Sequence, residues 1–432
     1  MARYELAGSY WTIAQGSDGA SLTTTSGKRD EPGRSTTRRY ASASAAEAAR
    51  AALVLEKLRA GYQLVEPAAP PPDEDAAALE ARIAEDPDDE AAYAVYADGL
   101  QRQGDPRGEL IALQLAREAE LARGGAARSK LATAIAKLVA REAGVLLGGL
   151  AALVPDVREL AAEPLIWRRG FLHRVVLDSR ARGPVGPIVA QVLAHPSGRF
   201  VRELAVRCDD LDDAHQVIDA LADRPPAALR ELELLVRGQL LDLGALWPAV
   251  PGLRRVGVVA RAFDLGAFAA PRVERARFAS ARLSSDNLRA IAVAPWPALQ
   301  RLELRFAGRS EPNGATLADV QRLLEREDLV ALTHLKLRGC EHAGEALTTL
   351  AQAPLGRQLV VIDLSHSLVE AIDLRALAPY ASRFPALREL WLPSTVIVDA
   401  RRLIDGIATH LVSDARAGLD TFADDMAPKP AR

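Results

Sequence analysis

Residues 299–305, Leu299-Gln300-Arg301-Leu302-Glu303-Leu304-Arg305, and residues 332–338, Leu332-Thr333-His334-Leu335-Lys336-Leu337-Arg338, share one spacing of apolar residues, L-x-x-L-x-L. The last two apolar positions are two apart, so in an extended chain they point to one side of a strand. With Val, Ile, Ala or Phe sometimes replacing Leu, the spacing also occurs at Leu172-Val175-Leu177, Val201-Leu204-Val206, Leu229-Leu232-Leu234 and Leu253-Val256-Val258. Val273-Ala276-Phe278, Leu359-Ile362-Leu364 and Leu387-Leu390-Leu392 complete the set. These nine copies begin 29, 28, 24, 20, 26, 33, 27 and 28 residues apart, about 27 on average.

Segments with helical spacing lie between the copies: Ile188-Val189-Val192-Leu193, Val217-Ile218-Leu221, Leu288-Ile291, Val320-Leu323-Leu324 and Leu347-Leu350. Pro196, Pro225, Pro295 and Pro354 follow such segments, where a helix should stop. Strand, turn, helix and return in about 27 residues resembles the unit of leucine-rich repeat proteins, over about Trp167 to Leu411. One such unit cannot bury its own apolar face, whereas a stack of them can. The resemblance implies an α/β fold in which residues 165–412 form a leucine-rich repeat solenoid, or horseshoe. At the position where these repeats usually carry Asn or Cys, only Cys340 matches; Ala307, Ser367 and Thr395 stand elsewhere, so the inner polar ladder is irregular.

Upstream of the repeats the chain changes character twice. Residues 67–77 contain the Pro-rich, then acidic, run Pro67 to Asp75, which reads as a linker. Before it come strand-like stretches at Tyr10 to Ile13, Ser21 to Thr25 and Ser35 to Tyr40, then a helix from about Ala45 to Ala60. With Arg3-Tyr4-Glu5-Leu6, Tyr10-Trp11-Thr12-Ile13, Ser26-Gly27-Lys28 and Glu56-Lys57-Leu58-Arg59-Ala60-Gly61-Tyr62, residues 1–66 resemble a small α+β WGR-like domain. Ser26 stands for the family's Trp and Lys28 for its Arg.

Residues 78–160 are helical in pattern. The run Tyr96-Ala97-Asp98-Gly99-Leu100, then Gly104-Asp105-Pro106-Arg107-Gly108-Glu109-Leu110-Ile111, resembles the helical companion domain found beside bacterial leucine-rich repeats. Gly99 stands where that family usually has Trp. Trp167-Arg168-Arg169-Gly170-Phe171 resembles the lead-in to the first repeat of those proteins, and residues 413–432 read as an end cap and frayed tail.

Composition bounds the function classes. The chain has 432 residues, 49% apolar and 26% charged, enough for two to four domains and a sizeable core. A net charge of −3 gives no whole-chain bias toward nucleic acid or membrane. Two cysteines, Cys208 and Cys340, exclude a disulfide framework and point to a reducing compartment. Met1-Ala2-Arg3-Tyr4-Glu5-Leu6 lacks the layout of a secretory signal, and no apolar run reaches the roughly 18 residues of a membrane span. These features predict a soluble, cytoplasmic protein.

Catalytic patterns are missing from the sequence. It contains no phosphate loop ending in Lys-Ser/Thr, no G-x-S-x-G, no H-E-x-x-H and no paired C-x-x-C. Cys340-Glu341-His342 with His334 has metal-ligand chemistry, but Cys340 sits at the ladder position of its repeat, where a small buried group packs. Asp209-Asp210-Leu211-Asp212-Asp213 lacks the turn glycine and final glutamate of a calcium loop, and capping of a helix beginning near Asp213 accounts for it. The sequence therefore predicts neither an enzyme nor a cofactor.

The face of the repeat strands carries the binding expectation. In L1-x2-x3-L4-x5-L6-x7 the positions x3, x5 and x7 face the concavity of a horseshoe. Copies four to seven place Arg255, Arg275, Arg277, Arg301, Arg305, His334, Lys336 and Arg338 there, with Glu303 the only acid, and Trp391 follows in copy nine. Such a face is either solvated cover or a groove for an acidic protein surface or a phosphate backbone. Trp391 is a candidate anchor. A second basic set, Lys28, Arg29, Arg34, Arg38 and Arg39, offers nucleic-acid contact as the alternative, because WGR-like domains in other proteins contact nucleic-acid ends. Residues 71–124 hold 14 acidic and 5 basic residues, and this block could dock on either basic patch. The expectation is a non-catalytic scaffold that binds a protein partner, with no membrane contact.

Overall fold

The structure, a computed structural model, describes residues 2–6, 8–16, 19–28, 33–65, 74–124, 130–237, 241–280, 283–306, 314–404 and 406–413. Most of the expected linker and tail, together with Arg29 and Ala307, lies outside them. The chain divides into two compact units, one of Met1–Val206 with Gln216–Leu229, the other of Arg207–His215 with Arg230–Arg432.

The first unit opens with an antiparallel sheet of β1 (Ala2–Leu6), β2 (Ser9–Gln15), β3 (Ser21–Lys28), β4 (Arg34–Arg39) and β5 (Gln63–Val65), in the order β4-β3-β2-β1-β5. Alternation on β2 buries Trp11 and Ile13 with Tyr4, Leu22, Val54 and Leu58. The last two come from α1 (Ala43–Arg59), whose first turn is capped by Ser42 Oγ accepting from the Ala45 N–H at 3.1 Å. β5 is only three residues long, whereas β1 alternates Ala2, Tyr4 and Leu6 with Arg3 and Glu5, a strand pattern not singled out above.

Four longer helices follow, α2 (Glu74–Glu85), α3 (Glu90–Arg102), α4 (Pro106–Ala122) and α5 (Lys130–Arg141), then the short α6 (Ala143–Leu146). α2 begins inside the stretch expected as linker, because Ala76 to Ala78 favour a helix once the prolines end. Asp89 and Asp105 cap α3 and α4, and Pro106 occupies the first turn of α4. Gly108 lets α4 lie against α3: a Cβ there would fall 2.5 Å from the Ala97 carbonyl oxygen. A Cβ on Gly99 meets only the Arg102 guanidinium, at 3.9 Å, so the site where the companion family carries Trp is open.

Ile83, Tyr93, Tyr96 and Ile111 pack on Phe171 and Phe200, and the last two rings meet edge to face at 4.7 Å. Phe171 begins β7 (Phe171–Asp178), which pairs antiparallel with β6 (Leu165–Arg168). Charge reinforces this contact. Arg169, 3% exposed and at φ +50°, donates to Glu118 at 2.8 and 3.1 Å, to Glu90 at 3.2 Å, and lies over the Tyr93 ring. Arg168 and Arg202 share Asp88 at 2.7 and 3.0 Å, and Arg199 pairs with Glu80. The acidic block thus docks within its own unit on Arg168, Arg169, Arg199 and Arg202.

In the second unit, strands β9 (Glu231–Val236), β11 (Arg255–Ala260), β13 (Arg275–Ser280), β14 (Arg301–Arg305), β15 (His334–Arg338), β16 (Val361–Asp363), β17 (Glu389–Leu392) and β18 (His410–Ser413) lie side by side in chain order. Each neighbouring pair is parallel. β8 (Glu203–Cys208) precedes them in the chain, and two-residue strands β10 (Leu241–Asp242) and β12 (Phe263–Asp264) pair separately. The fold is mixed α/β with a large parallel sheet. The fourth and sixth residues of the L-x-x-L-x-L copies from β9 to β17 are all buried, with the apolar sides of helices Ser285–Val293, Leu317–Leu324 and Ala343–Gln352. Throughout the chain the expected prolines stop helices from two residues away: these elements end at Ala194, Asp223, Val293 and Gln352, before Pro196, Pro225, Pro295 and Pro354.

Where copies are only 24 and 20 residues apart, the connections hold a four-residue helix (Leu246–Ala249) or none. Aromatic rings fill the space there: Trp247 meets Phe268 at 4.3 Å and Phe268 meets Trp296 at 4.9 Å. β18 is a further parallel strand after the last copy, at the boundary the sequence set between repeats and end cap, where no strand was expected.

Asp319 joins two helices. Its carboxylate accepts from Ser285 Oγ at 2.5 Å, Thr316 Oγ1 at 2.7 Å, the Thr316 N–H at 3.1 Å and Arg289 Nε at 2.9 Å. Burial alone would raise its pKa; these donors outweigh burial and hold it down at about 2. Its stabilisation is therefore fully present above about pH 4 and is lost as the pH falls toward 2, a contribution of about 2 kcal/mol. Asp319→Asn should lose that share at pH 7 and show a flatter acid limb in urea melts recorded from pH 7 to 3. The two α3–α4 glycines should respond oppositely. Gly99→Ala should stabilise by about 0.5–1 kcal/mol and Gly108→Ala should destabilise by at least about 1 kcal/mol, measured by denaturant melts.

Candidate functional site

Parallel register sorts the x positions of the second unit into rows across the strands. The x3 row runs Glu231, Arg255, Arg275, Arg301, His334, Val361, Glu389. The x5 row runs Glu233, Gly257, Arg277, Glu303, Lys336, Asp363, Trp391. Neighbouring strands are about 4.8 Å apart, so side chains adjacent in a row touch or repel one another directly.

The x5 row compensates its own charge. Glu303 lies 3.5 Å from Arg277, 3.8 Å from Arg338 and 3.9 Å from Lys336. Asp363, 1% exposed, accepts from Arg338 at 2.9 and 3.0 Å and from the Ser365 hydroxyl at 2.6 Å. Asp363 therefore fixes Arg338 from beneath. Taking copies four to seven in isolation left out this carboxylate, which belongs to copy eight, and the basic excess at Arg277, Lys336 and Arg338 is smaller than the sequence suggested.

The x3 row is different. Arg255 pairs with Glu231 at 2.9 Å, yet Arg275 and Arg301 are exposed and make no ion pair among the described residues. Three arginines thus stand at one register position on three adjacent strands. His334 continues the row, its Nδ1 2.9 Å from Thr333 Oγ1. Burial first, then Arg301 and Lys336, hold the His334 imidazole below its usual pKa; Glu389 opposes them, and Arg275 adds a weaker push downward.

Other x positions are less available. Gly257, Val259, Ala279, Val361, Ser365 and Pro393 are buried, so the exposed strip is narrower than simple alternation implies. Arg305 is half-buried. Trp391 is half-buried too, and its Nε1 donates to Glu389 at 3.1 Å, which fixes the ring beside the basic rows.

In the N-terminal sheet, Lys28, Arg34, Arg38 and Arg39 are exposed. β4 is an edge strand, and its pairing with β3 sets Arg34 and Arg38 on the face shared with Lys28 and Leu22, while Arg39 lies on the opposite face. The five-residue cluster is corrected to three residues on one face, with Arg29 outside the described residues. Trp11, a candidate stacking surface, is 4% exposed in the core.

Cys340 is 1% exposed, and burial pushes its thiol up to about 12. Its N–H donates to Ser367 Oγ, which itself donates to the Leu337 carbonyl, so Ser367 supplies an inner polar bridge. Asp210 Oδ1 accepts from the Asp212 N–H at 2.8 Å, and the helix there begins at Leu211, two residues before the expected start. Among the described residues no group of three or more His, Cys, Asp or Glu is placed to hold a metal, and no helix is long and apolar enough to cross a membrane.

Glu303 is the switch point of the charge balance on this face. Glu303→Gln should remove the carboxylate that Arg277, Lys336 and Arg338 share. The expected outcome is a loss of about 1 kcal/mol in denaturant melts and later elution from a cation-exchange column.

No family model matches the chain, and no curated protein matches it. Among solved structures the chain is similar to a crystal structure of a Bacteroides fragilis protein from a structural genomics consortium. The two share 13% identity over 96% of each chain, with a TM-score of 0.42.

Proposed function

We propose that this chain is a bacterial-type leucine-rich repeat protein with a helical companion domain and a WGR-like N-terminal domain. In this reading it is cytoplasmic and non-catalytic, and it holds an acidic protein partner on the x3 face of its repeats. The observation that carries the reading is the stack of Arg255, Arg275 and Arg301 on adjacent strands. Like charges set opposite one another weaken a sheet. An arrangement that costs stability, with two of its three members lacking an ion pair among the described residues, suits an anion supplied from outside the chain. Arginine fits that role because its planar fork binds carboxylates in a bidentate manner. Arg305 and Trp391 border the same strip and would widen the contact.

The second reading is nucleic-acid binding through Lys28, Arg34 and Arg38, supported by their common face on an edge strand. With Trp11 in the core, these cations are left with the half-buried Tyr40 ring, 5.8 Å from the Arg38 guanidinium, and such binding would be non-specific and salt-sensitive.

Affinity capture from source-cell lysate, with and without nuclease, separates the two. The expected result is a nuclease-resistant protein that wild type retains and Arg275→Glu/Arg301→Glu loses by at least about ten-fold, or 1.4 kcal/mol. Nucleic acid recovered equally by both proteins, and lost with Lys28→Glu/Arg34→Glu/Arg38→Glu, would establish the second reading instead.

A further inference from the structure

We propose that Arg275, Arg301 and His334 form a proton-linked anion seat, in which an acidic group of the partner binds across the two arginines while His334 takes up a proton from solvent. The proposal rests on the reading of the x3 face as the binding surface and adds how that surface responds to pH.

The geometry comes from register. Arg275, Arg301 and His334 occupy one row on β13, β14 and β15, so the His334 backbone lies one strand spacing, about 4.8 Å, beyond that of Arg301. Its Nδ1 faces Thr333 Oγ1, and its Nε2 makes no hydrogen bond among the described residues. The groups around it come from every neighbouring strand. Arg301 and Arg275 stand on one side, Lys336 on its own strand, the apolar Val361 on β16 and Glu389 on β17. Three cations against one carboxylate favour the neutral ring while the seat is empty of anions, in line with its lowered pKa.

An acidic group placed over Arg275 and Arg301 reverses that balance. It screens the two arginines from the ring and offers Nε2 an acceptor, so the imidazolium becomes the favoured form. Linkage makes the effect reciprocal: if anion binding raises the affinity of His334 for a proton, protonation raises the affinity for the anion by the same factor. Binding then tightens as the pH falls, by at most about ten-fold per pH unit for one proton. A carboxylate partner stays ionised in this range, because ordinary Asp and Glu side chains titrate near 4.

The test uses the full chain and a fluorescein-labelled hexaglutamate peptide, followed by anisotropy from pH 7.5 to 5.5. Wild type should bind several-fold more tightly at the lower pH, and His334→Gln should give a flat profile. A second readout needs no ligand: in Arg301→Gln, His334 should titrate at a higher pH than in wild type, followed by its imidazole NMR signals. A His334→Gln profile that keeps the wild-type slope, or an unmoved His334 titration in Arg301→Gln, overturns the proton linkage and leaves the binding face standing. Absence of hexaglutamate binding at every pH overturns the seat itself; an acidic protein still captured by wild type and lost with Arg275→Glu/Arg301→Glu would then keep the broader reading.

Discussion

A parallel strand with apolar residues at its fourth and sixth positions cannot cover them by itself, and its two hydrogen-bonding edges both need neighbours. That constraint organises the second unit. Leu302 and Leu304 are buried only because β13, β15 and the following helix supply walls, and the same holds for Leu335 and Leu337 one strand further on. The connections can therefore vary in length and content as long as they refill the layer behind the strands. Helices do so after β13, β14 and β15, whereas Trp247, Phe268 and Trp296 do so where the connection is too short for a full helix.

In the first unit the covering is done by α3 and α4 against Phe171 and Phe200. Apolar packing supplies area there, and charge supplies placement. Arg169 is buried, held in the left-handed region and bonded to Glu118 and Glu90, so it fixes one geometry between the helices and β7. The protein thus uses arginine in three ways: sealed within a protein contact at Arg169, neutralised in a surface ladder at Arg338, and stacked on its own kind at Arg275 and Arg301. Only the last runs against the stability of the sheet.

Much of this was legible in the sequence because the relevant signals are short-range. Apolar spacing gave the strands from β7 to β17 that carry the copies, prolines gave the helix ends, and alternation gave the positions turned away from the core. What escaped was whatever depends on a partner distant along the chain. β5 exists because it pairs with β1, far back in the chain, and β18 because β17 offers an open edge. Asp363 neutralises Arg338 from a strand that begins 23 residues later in sequence (338 to 361), and Glu118 captures Arg169 across 51 residues. Arg39 looked equivalent to Arg38 in the sequence, yet strand alternation sends it to the opposite side. Spacing says which residue types are near; pairing decides which of them meet.

The five tryptophans are unevenly distributed between core and surface. Trp11, Trp167, Trp247 and Trp296 are each no more than 7% exposed, while Trp391 is half-buried beside the basic rows. The molecule therefore carries an intrinsic optical reporter. An aqueous quencher such as iodide, drawn toward the arginines, will reach one indole and leave four in the dark. The quenchable fraction of the emission then measures, without any label, whether that strip of the sheet is open or occupied.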